Sequence, residues 1–92
     1  MKQPIVSENA PRPVGPYTPA LRVGDFIFVS GQGPIDPETG QIVGETIEEQ
    51  TRRTLDNIKA LLESAGASMD DCVKMTVHLS DINLFSRFNA IY

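Results

Sequence analysis

The stretch Ala20-Leu21-Arg22-Val23-Gly24-Asp25-Phe26-Ile27-Phe28-Val29-Ser30-Gly31 decides the fold. Two short runs with strand composition flank Gly24-Asp25, a two-residue loop with glycine first, which suits a tight hairpin turn. Strands are expected over Ala20–Val23 and Phe26–Ser30. The second is apolar on both faces, through Phe26, Ile27, Phe28 and Val29. A strand of that kind is covered on both sides.

Toward the N-terminus, Pro11, Pro13, Pro16 and Pro19 remove backbone donors and bias their predecessors away from helix, so residues 1–18 read as an extended arm. Beyond the hairpin, Gly31 to Gly44 is a loop. Within it, Asp36-Pro37-Glu38-Thr39-Gly40 forms a turn in which Pro37 presets φ and Gly40 follows. Thr46-x-x-Glu49 is a capping box. It opens a helix to about Ala65, with Ile47, Leu55, Ile58, Leu61, Leu62 and Ala65 as its apolar stripe and Gly66 as its C′ residue. Cys72 to Ser80 alternates: Val73, Met75, Val77 and Leu79 face one way, and Cys72, Lys74, Thr76 and His78 the other. That period predicts a third strand. Leu84, Phe85, Phe88, Ile91 and Tyr92 recur at helical spacing. The expected order is β-β-α-β-α, an α+β domain.

All seven prolines lie in the first 37 residues, with no repeat, linker or low-complexity tract, so the asymmetry divides one domain rather than two. The helical pattern stops at Ile91-Tyr92 without a glycine, proline or basic residue to end it. One long helix also leaves the second face of a three-stranded sheet bare. Continuation of the helix into further sequence, and cover from partner chains, are both expected.

Composition narrows the function classes. The chain has 92 residues, with 8 Lys+Arg against 12 Asp+Glu and a net charge of −4. Nucleic-acid affinity comes largely from cations on phosphates, so no nucleic-acid partner is expected. The longest strongly apolar run, Phe26–Val29, is far too short to cross a bilayer, so no membrane partner is expected either. The N-terminus lacks the apolar run of a secretory signal. A single cysteine, Cys72, rules out an internal disulfide and fits a reducing, cytoplasmic compartment. Cys72 and His78 lie too far apart along a strand to ligate one ion, so no metal is expected.

The motifs together resemble one family. Asn9-Ala10-Pro11, Gly15-Pro16-Tyr17 and Val29-Ser30-Gly31-Gln32 resemble the reactive-intermediate deaminases (RidA, YjgF-like). So do Asp36-Pro37-x-Thr39-Gly40, Gln50-x5-Asp56-Asn57-Ile58-Lys59-Ala60 and Leu62-Glu63-x-Ala65-Gly66. Val73-Lys74-Met75-Thr76-Val77 and Phe88-Asn89-Ala90-Ile91-Tyr92 extend the likeness over nearly the whole chain, in order. The resemblance implies a chorismate-mutase-like α+β domain over 1–92, with a mixed sheet and helices on one face. It implies assembly as a homotrimer with clefts between subunits. The implied activity is hydrolysis of 2-imino acids, in equilibrium with 2-enamino acids, to 2-oxo acids and ammonia, with 2-iminobutanoate and 2-iminopropanoate as substrates and no cofactor.

Family members are longer. Their additional segment carries an arginine that clamps the substrate carboxylate and a later glutamate that positions water. Neither has a counterpart here, so the chain resembles a member lacking its C-terminal strands, and its catalytic residues are unassigned. A catalytically silent module that binds small carboxylates is the alternative function. Endoribonuclease, a name attached to relatives, is a weaker one.

Four residues match the family's substrate cleft. Tyr17 either walls the cleft and hydrogen-bonds a carboxylate or water, or packs the arm onto the sheet. Ser30 and Gly31 set a hydroxyl beside open backbone that can hold a small anion or water, or else form a plain strand-end turn. Asn89 offers a donor and an acceptor toward a ligand, or toward a subunit interface. Arg12, Arg22, Arg52, Arg53 and Arg87 are possible substitute clamps, with surface solvation as the plainer reading.

Overall fold

The computed structural model describes residues 2–12 and 18–92. Its elements are β1 (Lys2–Ile5), β2 (Ala20–Val23), β3 (Phe26–Val29), α1 (Ile47–Ser64) and α2 (Phe85–Ile91). Single 3₁₀ turns lie at Met69–Asp71 and Ile82–Leu84. The strands form one sheet in the order β1-β2-β3.

The hairpin forms as expected. Gly24 takes φ +59° between β2 and β3, whose register pairs Ala20 with Val29 and Val23 with Phe26. β1 was not foreseen. It lies in the arm and pairs antiparallel with β2, Pro4 opposite Leu21 and Ile5 opposite Ala20. Pro4 is tolerated because β1 is an edge strand, where a missing N–H leaves no second neighbour unpaired.

The register sorts side chains by face. Ile5, Ala20, Arg22, Ile27 and Val29 share the face toward α1, while Pro4, Leu21, Val23, Phe26 and Phe28 share the other. Ile5 and Ala20 are buried. Arg22 fits the helix side because its guanidinium donates to the carbonyl of Ala65, at the C-terminus of α1. A cation there offsets the negative end of the helix. The other face is open: Phe26 and Phe28 are 62% and 60% exposed, with ring centroids 6.4 Å apart. Among the described residues, the cover expected on both sides of this strand is therefore present on one side only.

α1 starts and stops as its sequence predicts. Thr46 Oγ1 accepts from the Glu49 amide at 3.2 Å. Glu49 reaches back one residue further than in a standard capping box, to the amide of Glu45 at 3.4 Å. At the other end Gly66 has φ +82°, with Gly66 N–H on Glu63 O and Ala67 N–H on Leu62 O, the paired bonds of a Schellman motif. Leu61 and Leu62 are buried against the sheet side, and Phe88 of α2 is buried against α1.

Two expectations are corrected. Cys72–Ser80 is not a strand, and the sheet is antiparallel throughout rather than mixed. The alternation is present in the sequence, but a strand exists only where a neighbour supplies ladder bonds. Among the described residues none pairs with this segment, which leaves Val73 90% exposed.

Candidate functional site

The loop after β3 is built by its hydrogen bonds. The Ser30 amide donates to Pro19 O at 2.9 Å, and Ser30 Oγ donates to Thr18 O at 2.5 Å. Ser30 is thus held at both backbone and side chain. Its proton is committed, while its oxygen lone pairs remain able to accept. Gly31 follows, exposed, and a Cβ there would meet nothing within 4 Å. Among the described residues, the amides of Gly31, Gln32 and Gly33 find no acceptor. These N–H groups lie in an irregular segment next to Ser30, without left-handed backbone at either glycine, and each can donate to a ligand or water.

Asn57 fixes the far side of this loop. It is fully buried. Its Nδ2 donates to Gly33 O at 3.1 Å and to Ile35 O at 2.8 Å, while its Oδ1 accepts from an Arg53 guanidinium nitrogen at 2.8 Å. Gln50 Nε2 holds Gly44 O at 3.1 Å. Between these anchors the Asp36–Gly40 turn closes as expected: Asp36 Oδ1 accepts from the Glu38 amide at 2.8 Å, Asp36 O accepts from the Gly40 amide at 2.8 Å, and Ile35 bridges Ile42. Asn57 escaped the sequence reading. The available signal was an amide side chain four residues before Leu61, in line with the apolar stripe.

Of the four expected site residues, Ser30 and Gly31 follow each other in the chain directly after β3. Asn89 is exposed on α2, which packs on α1, and its side chain makes no hydrogen bond among the described residues. Tyr17 lies outside the described residues. Three of the candidate clamps are engaged elsewhere: Arg22 on Ala65 O, Arg53 on Asn57, and Arg87 on Glu48. Arg12 and Arg52 are exposed.

An open groove of about 510 Å³ runs between Asn9 and the polar side of α1, past Arg53, Asp56, Lys59 and Glu63. Ser30, Gly31 and Asn89 do not line it. Two cations and two carboxylates alternate along it, so it has no net pull on an anion. Among the described residues no three His, Cys, Asp or Glu side chains cluster as a metal site, and no helix is long and apolar enough to cross a membrane.

A helix-backed antiparallel sheet, whose second hairpin strand runs into a loop anchored by Ser30 and Asn57, defines a small α+β domain. The chain belongs to the family described as endoribonuclease L-PSP, whose model matches residues 7–92. It is 58% identical over 91 residues to a RutC family protein of Pyrococcus abyssi, covering 99% of this chain and 72% of that protein. It is 42% identical over 92 residues to the 2-iminobutanoate/2-iminopropanoate deaminase of Escherichia coli K12, covering 100% of this chain and 71% of that enzyme. Among solved structures, Escherichia coli TdcF with bound serine superposes with a TM-score of 0.93 at 39% identity, over 98% of this chain and 70% of that one. RidA from an Antarctic Psychrobacter superposes at 0.92 with 39% identity, over 97% of this chain and 72% of that one.

Proposed function

We propose that this protein hydrolyses reactive 2-imino and 2-enamino acids to 2-oxo acids and ammonia. The observation that carries the reading is the 42% identity, along the full 92 residues, to a relative named for that activity. The open amides after β3 supply a physical reason. In the reaction a water oxygen adds to C2 of the iminium, the nitrogen takes up a proton and leaves as ammonia, and C2 becomes a carbonyl. Two demands precede this: the carboxylate must be held, and water must be placed.

Gly31, Gln32 and Gly33 N–H groups serve the first demand. The Ser30 oxygen can accept from the iminium nitrogen or from water, since its own proton is directed to Thr18. Tyr17 of one copy and Asn89 of another complete the cleft across the subunit boundary. The assembly is a homotrimer. Its support is the bare sheet face of Leu21, Val23, Phe26 and Phe28, apolar side chains that gain from burial. The exposed free thiol of Cys72 suits a cytoplasmic setting.

The family's description favours a second reading, ribonucleolytic activity. The net charge of −4 opposes it, because phosphate contacts need cations.

The test couples a pyridoxal-phosphate-dependent dehydratase to the purified protein and follows 2-oxo acid formation, with semicarbazide trapping residual imine. Faster 2-oxo acid release than the spontaneous rate is expected. No acceleration, or cleavage of a labelled RNA by the same preparation, overturns the reading.

A further inference from the structure

We infer that Asn57 is a positioning residue for the carboxylate-binding segment Gly31–Gly33, and that Arg53 sets the orientation in which Asn57 does this. The inference rests on the deaminase reading for the ligand's chemistry, a small 2-oxo or 2-imino carboxylate, and on the hydrogen bonds of α1 for everything else.

A segment with glycines at 31 and 33 has wide backbone freedom, and amides bind an anion well only if they are already aimed. Ser30 fixes the segment at its entry, through two bonds to Thr18 and Pro19. Its exit is fixed at Gly33 and Ile35, whose carbonyls both receive Asn57 Nδ2. Gly33 O also takes the Ile35 amide at 2.8 Å, which makes it a shared node.

An asparagine amide can sit in two orientations related by a flip. Only one presents the NH₂ group to both carbonyls. Arg53 selects it, because a guanidinium only donates and therefore holds Oδ1 toward itself. Asn57 is fully buried and does not touch ligand. It acts by holding the Gly33 carbonyl, and so limits the rotation about Gly33 that would swing the N–H groups before it.

The experiment titrates the purified protein with 2-oxobutanoate and reads the amide resonances of Gly31, Gln32 and Gly33, alongside KM and kcat in the coupled assay. Asn57→Asp keeps the shape but turns an oxygen toward two carbonyls. It is expected to weaken 2-oxobutanoate binding and raise KM by about tenfold or more, with kcat changed far less. Arg53→Met, at a half-buried position of the helix, is expected to weaken binding in the same direction, and Arg53→Lys to restore it by returning a donor. Leu61→Val, a core change on the same helix, should lower the melting temperature yet leave binding within about twofold.

Parallel losses in Asn57→Asp and Leu61→Val, or no loss in either Asn57→Asp or Arg53→Met, overturn the inference. So does a wild-type protein that binds no 2-oxobutanoate. A wild-type protein that binds 2-oxobutanoate through these amides but hydrolyses no imine sinks the deaminase reading alone, and the variants then decide the positioning role by binding.

Discussion

Arg87 grips Glu48 with two parallel bonds, Nε to Oε2 at 2.8 Å and a terminal nitrogen to Oε1 at 2.7 Å, across 39 positions of sequence. The pair ties α2 to the first turn of α1. Arg87's hydrogen bonds, and then Glu48's own backbone amide, lower the carboxyl from its ordinary 4.5 to about 2. The same pair raises the guanidinium's affinity for its proton. A carboxylate whose folded pKa is depressed stabilises the fold above its unfolded pKa and loses that contribution as pH falls through the folded value. Arg87→Gln should therefore loosen α2 at neutral pH, read as faster amide exchange over Phe85–Ile91. The difference from wild type should shrink between pH 4.5 and about 2. Both side chains are exposed, so added salt should shrink it as well. A difference that persists unchanged below pH 2 would refute the assignment.

Thr46 caps α1 through its side-chain oxygen. Thr46→Ala should cost about 1 kcal/mol in urea denaturation, the usual cost of losing such a cap. Gly44 stands two residues earlier at φ +97°, where a Cβ would lie 3.0 Å from Glu49 Cβ and 3.2 Å from the Gln50 amide nitrogen. Gly44→Ala should destabilise more than Thr46→Ala, because it combines left-handed strain with a clash against the helix it precedes. Equal midpoints for the two variants would show that the loop shifts freely.

Phe28 tests the assembly. It stands on the open face of β3 and is 60% exposed in the single chain. Stable interfaces bury roughly 800 Å² per partner around an apolar centre. Phe28→Asp should shift the protein from trimer to monomer in sedimentation velocity while the helical circular dichroism remains. An unchanged sedimentation coefficient would remove this face from the interface.

Asn89 separates binding from folding. Its side chain is exposed and makes no hydrogen bond among the described residues. Asn89→Ala should leave stability within about 0.5 kcal/mol, yet weaken 2-oxobutanoate binding several-fold. Loss of stability without loss of binding would mark it as an interface residue instead.

The local signals in this chain were sufficient where the physics is local. Gly24-Asp25 makes its turn, Asp36–Gly40 closes on its own carboxylate, Thr46 starts α1, and Gly66 ends it. Each of these is settled within a few residues by backbone sterics and short hydrogen bonds, so the residue types carry the answer. Three features depended on distant partners. β1 contains a proline that argues against a strand, and it forms because β2 offers it an outer edge. Cys72–Ser80 alternates like a strand and is none, because alternation names a face while only a neighbour supplies a ladder. Asn57 reads as an interruption of an apolar stripe until the Gly33 and Ile35 carbonyls are seen to lie against it, 24 and 22 positions away in sequence. Turns and caps belong to the sequence by itself. Pairings and buried polar anchors belong to the tertiary structure, since a hydrogen bond between distant residues exists only once the chain has brought them together.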